Sequence, residues 1–563
     1  MRIFSVVLLC AGLLYLGAIS GRDIATRGEG REALVAANIL RTGDWVLPPG
    51  YGGVIPSKPP LLHWLIAATA TVSGDLTAFI ARFPSAIASL VFAAAMLLFL
   101  ARRTSKEIAA VSVIILLTSI EWLRTGTSCR VDMLLSTCMA AGLVSLFVWQ
   151  ERGFKGISFS AVILLTLAVM AKGPVAIVLP ALIIFLYALL RKEPLPRVLF
   201  AGVKAFVPIM LLSSIWYVLA YYDGGENFFD KFYEENVGRF LSDSPDEPHE
   251  HSAAYLLATI PLGFMPWSLF LLWPILLKIK TVVAAGPAAW KKSFLSRSPL
   301  QQFSALTCVL FIAFFSIPAS KRSVYLLPIY PFLSFFLAHL VVQLHGFSLK
   351  WFKKSSETAV SVLLVLLIVA YVLLLGEWDR YFIHHASSTK NDELQFISGN
   401  LRELLIYSDV VVLAAIWGSF LSAFIFSLAA KRCEEPLKVV KLIVAGCFTV
   451  YLCGGAVIFP HFNNALSTRS LASAVAARVD ADGKLYSYGY EYYGLSMYSG
   501  RQIKRLEVSV PKEEFYLITY ASKLDELRKD YLISDDDILR SPNSIEKPGR
   551  HVLLMKASPK PAD

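Results

Sequence analysis

Charge is what this chain has least of. Only 17% of its 563 residues are Asp, Glu, Lys or Arg, whereas 56% are hydrophobic. The mean hydropathy is +0.58. No soluble domain hides that much apolar surface, so a water-soluble globular protein is excluded and an α-helical polytopic membrane protein is expected. Cys-x-x-Cys pairs are missing as well. The seven cysteines (Cys10, Cys129, Cys138, Cys308, Cys433, Cys447 and Cys453) lie nearly all in or beside apolar runs. That argues against a disulfide framework and against a zinc ribbon. The chain also lacks an internal repeat and a low-complexity linker. A net charge of +11 does not point to nucleic acid, because Lys and Arg fall in short clusters between apolar spans, as they do in cytoplasmic loops.

What the chain does have is a ladder of apolar spans. Met1 to Ser20 is apolar behind one Arg, with no convincing cleavage site before Arg22, so it reads as a retained span, Phe4–Ile19. Glu29 to Arg41 reads as a juxtamembrane helix stopped by Gly43. Leu61–Ser73 is too short to span comfortably and is expected in the interface. Ala78–Leu100 is then the second span. The basic clusters Arg102-Arg103, Arg152 to Lys155, Arg191 to Arg197, Lys278 to Arg297 and Lys350 to Lys354 then all fall on the inner side. Continuing this way gives Glu107–Leu123, Met133–Trp149, Phe159–Met170, Val175–Leu190, Val198–Ala220, Tyr255–Leu277, Leu300–Ile317, Val324–Leu344, Ala359–Leu375, Val410–Ala430 and Val439–Phe459. The total is about thirteen spans. From about His461 the pattern changes. Lys484–Tyr490, Glu514–Tyr520 and His551–Met555 read as strands, and Leu471–Val479 and Lys523–Arg528 as helices. The tyrosine run Tyr486 to Tyr498 reads as strand core and surface, with a second sugar site as the alternative. The expected division is a membrane domain, 1–460, and a small outer α/β domain, 461–563.

This topology gathers Glu29, Glu32, Lys58, Asp132, Lys172, Arg239, His249, His251, Lys321 and Arg322 on the outer side. Asp132 and Lys172 are embedded in apolar sequence, where a charge is costly. Lys321-Arg322 lies outside against the positive-inside trend, which asks for an anionic partner. Basic residues from several loops beside a bilayer suit a lipid phosphate, and a carboxylate among them suits a general base. Proline stands next to Lys58 (Lys58-Pro59-Pro60), follows Lys172 (Lys172-Gly173-Pro174) and closes the stretch Ser320-Lys321-Arg322 to Tyr325 and Pro328, stiffening the backbone there. His249 and His251 are two apart, so on an extended strand they share a side. They are the candidate ligands of a divalent metal, set against the plainer reading of a polar lid loop.

Residues 21–345 resemble the protein O-mannosyltransferase and aminoarabinose (lipid A) transferase group of integral-membrane glycosyltransferases, the GT-C fold. The resemblance rests on Gly28-Glu29 where that group has Asp-Glu, then Gly43-Asp44-Trp45 and Lys58-Pro59-Pro60-Leu61. It continues with Asp132, Lys172-Gly173-Pro174, Asn236-Val237-Gly238-Arg239-Phe240 and Lys321-Arg322 leading to Tyr325 and Pro328. It implies juxtamembrane helices in the first outer loop. It implies a sugar donor on a polyprenyl phosphate, such as undecaprenyl phosphate, and inverting transfer to a lipid, glycan or protein acceptor. The place would be the periplasmic face of a bacterial inner membrane. By the same resemblance Lys58, Lys172, Arg239, Lys321, Arg322 and Tyr325 are expected at the lipid phosphate. The family aspartate is Gly28 here, so the base falls to Glu29, Asp132 or Asp23. Ser57 replaces an acid that serves that branch as a metal ligand. No residue names the sugar or the acceptor. The competing readings are a transporter or flippase of a lipid-linked intermediate, which the missing repeat disfavours, and an assembly scaffold, which gains nothing from embedded charge.

Overall fold

Backbone polar groups inside a bilayer must be satisfied within their own segment, and the chain meets this demand with helices. The computed structural model describes residues 2–56, 58–238, 251–318, 320–376, 391–480, 483–534, 538–541, 545–546 and 551–560. The first ten helices are α1 (Arg2–Ile19), α2 (Arg27–Thr42), α3 (Leu61–Ser73), α4 (Ala78–Arg103), α5 (Lys106–Thr118), α6 (Ile120–Gly126), α7 (Val131–Glu151), α8 (Phe159–Lys172), α9 (Val175–Leu190) and α10 (Leu195–Tyr233). Among the described residues, nine helices are long and apolar enough to cross a membrane, or ten if α5 and α6, bent by 67°, form one span. A total of thirteen requires α1, α8 and α9 to cross too; these are apolar but shorter. The run expected as one span at Tyr255–Leu277 is instead three helices, Ala253–Gly263, Trp267–Phe270 and Leu272–Leu295. Pro266 explains the first break, because a proline disfavours helical backbone in the residue before it.

Contacts sort the helix ends into two sets. At one, Arg103 pairs with Glu151 at 2.9 Å and Gln150 donates to Glu193 at 3.2 Å. These are the ends of α4, α7 and α9 that carry the basic loops. At the other, the start of α4, the start of α7 and the ends of α8 and α10 meet α2 and α3.

The C-terminal strands are β1 (Leu485–Ser487), β2 (Lys504–Arg505), β3 (Phe515–Tyr520), β4 (Tyr531–Leu532), β5 (Leu539–Arg540) and β6 (Val552–Pro559). Their order is β2-β1-β3-β6-β4, with β5 also on β6. β1 is parallel to β2 and β3, while β3 and β6 are antiparallel, with Leu517 opposite Met555. The tyrosine run does not stay extended. Gly489 (φ 72°) turns the chain, and Tyr493–Ser499 forms a helix closed by Gly500 at φ 64°. That helix lies on α2. Arg27 meets Glu491 at 2.5 Å, the Ile24 N–H donates to the Tyr498 hydroxyl at 2.7 Å, and the Tyr51 hydroxyl donates to Ser487 at 2.8 Å.

Candidate active site

The sequence of α2 fixes both its ends. The Thr26 side chain caps the first turn, accepting the Glu29 N–H at 3.3 Å. Gly43 closes the last turn at φ 75°, donating to the Ile39 carbonyl. Asp44 then accepts the N–H groups of Val46 and Leu47, both at 2.9 Å. The turn presents the Trp45 and Val46 carbonyls to the indole N–H groups of Trp64 on α3 (2.7 Å) and Trp216 on α10 (2.8 Å). Gly43-Asp44-Trp45 is thus a brace joining three helices.

Braced this way, α2 buries both of its glutamates. Glu29 receives two hydrogen bonds from Arg82 of α4, at 2.8 and 2.9 Å, and one from the Cys129 N–H at 3.0 Å. Arg22 lies 3.9 Å away. Arg82 itself is wholly buried. Burial pushes the Glu29 carboxyl up, but Arg82, Arg22 and the Cys129 N–H outweigh it and lower it from 4.5 to about 2. Glu32 accepts from Arg31 at 2.6 Å and faces His63 Nε2 at 2.9 Å. Burial raises it too, and Arg31 and His63 hold it well below the usual carboxylate range. The Asp23 carboxylate turns to the C-terminal part of the chain and meets Arg469 at 3.2 Å.

Asp132 opens α7, Lys172 ends α8, and the two meet at 2.5 Å. Their side chains keep 11% and 18% of their exposure, so the pair is sheltered but reachable. The Lys172 ammonium sits over the Tyr325 ring, 4.9 Å from its centre. Gly173 follows at φ 116°, and a Cβ there would stand 2.7 Å from the Asn236 side-chain oxygen. The Lys-Gly-Pro and Asn-x-x-Arg-Phe stretches therefore touch, and the touch demands glycine. Lys58 meets Glu235 at 2.5 Å. It lines a narrow pocket with Pro56, Pro59, Tyr217 and Asn236, in which the buried Tyr217 hydroxyl has no partner among the described residues.

Of the remaining candidates, Lys321 is buried and donates to the Pro318 carbonyl. Arg322 is half-buried, and its buried Nε has no partner among the described residues. His251 stacks on Tyr255, with ring centres 4.1 Å apart. Arg239 and His249 lie outside the described residues. Among those described, no group of three or more His, Cys, Asp and Glu side chains is placed to hold a metal ion. Asp132, Lys172 and Tyr325 thus form one cluster, with Glu29 linked to it through Cys129. Lys58 forms a second pair, joined to the first through Asn236 and Gly173. Sequence reasoning missed Arg82, Arg31, His63 and Glu235. Arg82 had a signal, since it interrupts the apolar span Ala78–Leu100. Glu235 had none.

Residues 57–218 match the family model described as dolichyl-phosphate-mannose-protein mannosyltransferase. A protein of Aquifex aeolicus is 28% identical over 380 residues, covering 66% of this chain and 70% of its own length. The undecaprenyl phosphate-alpha-4-amino-4-deoxy-L-arabinose arabinosyl transferase of Pectobacterium carotovorum is 28% identical over 345 residues, or 59% of this chain. The match spans 58% of that transferase's length. The crystal structure of ArnT from Cupriavidus metallidurans bound to undecaprenyl phosphate superposes with a TM-score of 0.70 at 18% identity, over 98% of this chain and 97% of the other. The resemblance expected from the motifs is borne out. The chain is a multi-pass membrane protein with the GT-C fold of ArnT, and its residues 57–218 match the dolichyl-phosphate-mannose-protein mannosyltransferase model.

Proposed function

We propose that the protein is a glycosyltransferase that takes a sugar from a polyprenyl-phosphate donor. It delivers the sugar to a hydroxyl or phosphate of a lipid resembling lipid A, a glycan or a protein. The observation that carries this reading is the convergence of Lys58, Lys172 and Asp132 from separate loops at one end of the bundle, each cation held by a carboxylate. Such a pair can exchange its carboxylate for a phosphate, since both bind an ammonium by charge-assisted hydrogen bonds. Lys58 and Lys172 then hold the donor phosphate, with Arg239, Lys321, Arg322 and Tyr325 around it. Release of Lys172 to the phosphate frees Asp132. A freed Asp132 takes the proton of a hydroxyl acceptor, whose oxygen attacks the anomeric carbon. The bond from that carbon to the phosphate oxygen breaks, the configuration inverts, and polyprenyl phosphate leaves. Cations already in place stabilise the charge that builds on it. Glu29 and Asp23 are weaker candidates for the base. The first is fully engaged with Arg82 and the second with Arg469.

The same reading assigns 1–460 as the membrane catalytic domain and 461–563 as a periplasmic domain. It places the site on the periplasmic face of a bacterial inner membrane. The test is release of polyprenyl phosphate from a polyprenyl-phosphate sugar by purified protein in detergent. Wild type is expected to release it with an acceptor present. A protein that moves the intact donor across a bilayer and never cleaves it is a flippase, and the proposal fails.

A further inference from the structure

Tyr217 carries a buried hydroxyl that the fold leaves unpaired. The residue lies on α10, and its ring is held edge-on by Trp216, with ring centres 4.9 Å apart, and by Phe232 at 5.3 Å. Trp216 is itself tied to the Val46 carbonyl at 2.8 Å. The ring is therefore not free to swing its hydroxyl out to solvent. Among the described residues that hydroxyl has no hydrogen-bond partner. An unpaired buried hydroxyl is destabilising in itself, and such groups in native proteins ask for a reason. Its position supplies one. The hydroxyl lines one pocket with Lys58 and Asn236. A Cβ on Gly173, the residue after Lys172, would stand 3.7 Å from its oxygen. Lys58 is held by Glu235 and Lys172 by Asp132, each at 2.5 Å. Tyr217 thus brings a neutral O–H donor to the junction of the two lysine stations, on a ring that cannot move away.

We propose that the Tyr217 hydroxyl donates to the oxygen joining the donor's phosphorus to its sugar, and so stabilises that oxygen as it leaves. This rests on the transferase reading and adds a catalytic residue to it. A phosphodiester carries one charge, spread over its two non-bridging oxygens, and ammonium groups take those. The sugar-bearing oxygen is nearly neutral in the donor, so a neutral O–H suits it. When the acceptor oxygen bonds to the anomeric carbon, the bond from that carbon to the phosphate oxygen breaks. Its electron pair stays on the oxygen, and the hydrogen bond from Tyr217 strengthens as that charge arrives. The tyrosine keeps its proton throughout.

The test compares the full-length wild type with Tyr217→Phe in detergent. The substitution deletes one oxygen and keeps the ring. Without lipid, Tyr217→Phe should melt at or above the wild-type temperature, because no hydrogen bond is lost. Added polyprenyl phosphate should stabilise the wild type and stabilise the variant clearly less. That product presents the fully charged oxygen, so its binding should weaken about tenfold in the variant. With a polyprenyl-phosphate sugar as donor, kcat should fall about a hundredfold while donor KM changes less than about threefold. Equal binding of polyprenyl phosphate by both proteins overturns the proposal, and so does a loss confined to donor KM. A variant that melts below wild type without lipid overturns it too, since the hydroxyl would then be structural. A wild type that binds polyprenyl phosphate but cleaves no donor defeats the transferase reading alone, and the binding comparison still decides the place of Tyr217.

Discussion

Glu29 is a structural charge in this account. Its carboxyl is lowered from 4.5 to about 2, so the stability it supplies is fully present above pH 4.5 and lost as pH falls towards 2. A displacement of that size is worth about 3 kcal/mol. Glu29→Gln also leaves the buried Arg82 charge without compensation, a change that typically costs about 3–5 kcal/mol. Its thermal midpoint at pH 7 should therefore drop by several degrees, and its profile between pH 4.5 and 2 should flatten. A variant that melts like wild type at pH 7 would remove Glu29 from this role. Lys58→Ala and Asp132→Asn belong to the chemistry. Each should abolish transfer while the protein still folds, and wild-type activity in both would dissolve the assigned site. The sequence made Asp132 and Lys172 visible because a charge inside an apolar run needs a reason. Their mutual contact was not visible, since forty residues separate two helices whose packing no local pattern specifies. The close approach of the Arg130 guanidinium to Gly28 was hidden for the same reason, because only coordinates bring the two together.

At the scale of elements, α2 is clamped from two sides. The Gly43-Asp44-Trp45 turn ties it to α3 and α10, and the helix Tyr493–Ser499 presses on it from the C-terminal sheet. The press is close: a Cβ on Gly30 would stand 2.8 Å from the Gly494 nitrogen and 3.1 Å from Tyr493 Cβ. Backbone cannot give way as a flexible side chain can. Gly30→Val should loosen the C-terminal sheet from the membrane helices, and limited proteolysis should cut before residue 485 much faster than in wild type. An unchanged digestion pattern would show that the clamp does not hold the sheet. Helices and strands of this size were legible from hydropathy period and glycine stops. The helix Tyr493–Ser499 was not, because an aromatic run is as compatible with a strand, and its packing on α2 decides the outcome.

For the whole molecule, alternating basic loops and apolar runs give the order of spans and the separation of two ends, and the contacts Arg103–Glu151 and Lys58–Glu235 lie at opposite ends as that order requires. The exact number of spans was less legible, because α8 and α9, at 14 and 16 residues, fall below the usual span length. In a background without native cysteines, Arg103→Cys and Glu234→Cys should label from opposite sides of the membrane. Labelling from one side would break the topology. The central claim, however, is that this bundle end receives a polyprenyl phosphate. It is tested most directly by lipid mass spectrometry of the purified protein beside its Lys58→Ala variant. The account predicts a polyprenyl phosphate, with or without its sugar, on the wild type and its loss from the variant. Failure of wild type to retain any such lipid, even after incubation with polyprenyl phosphate in detergent, would contradict it.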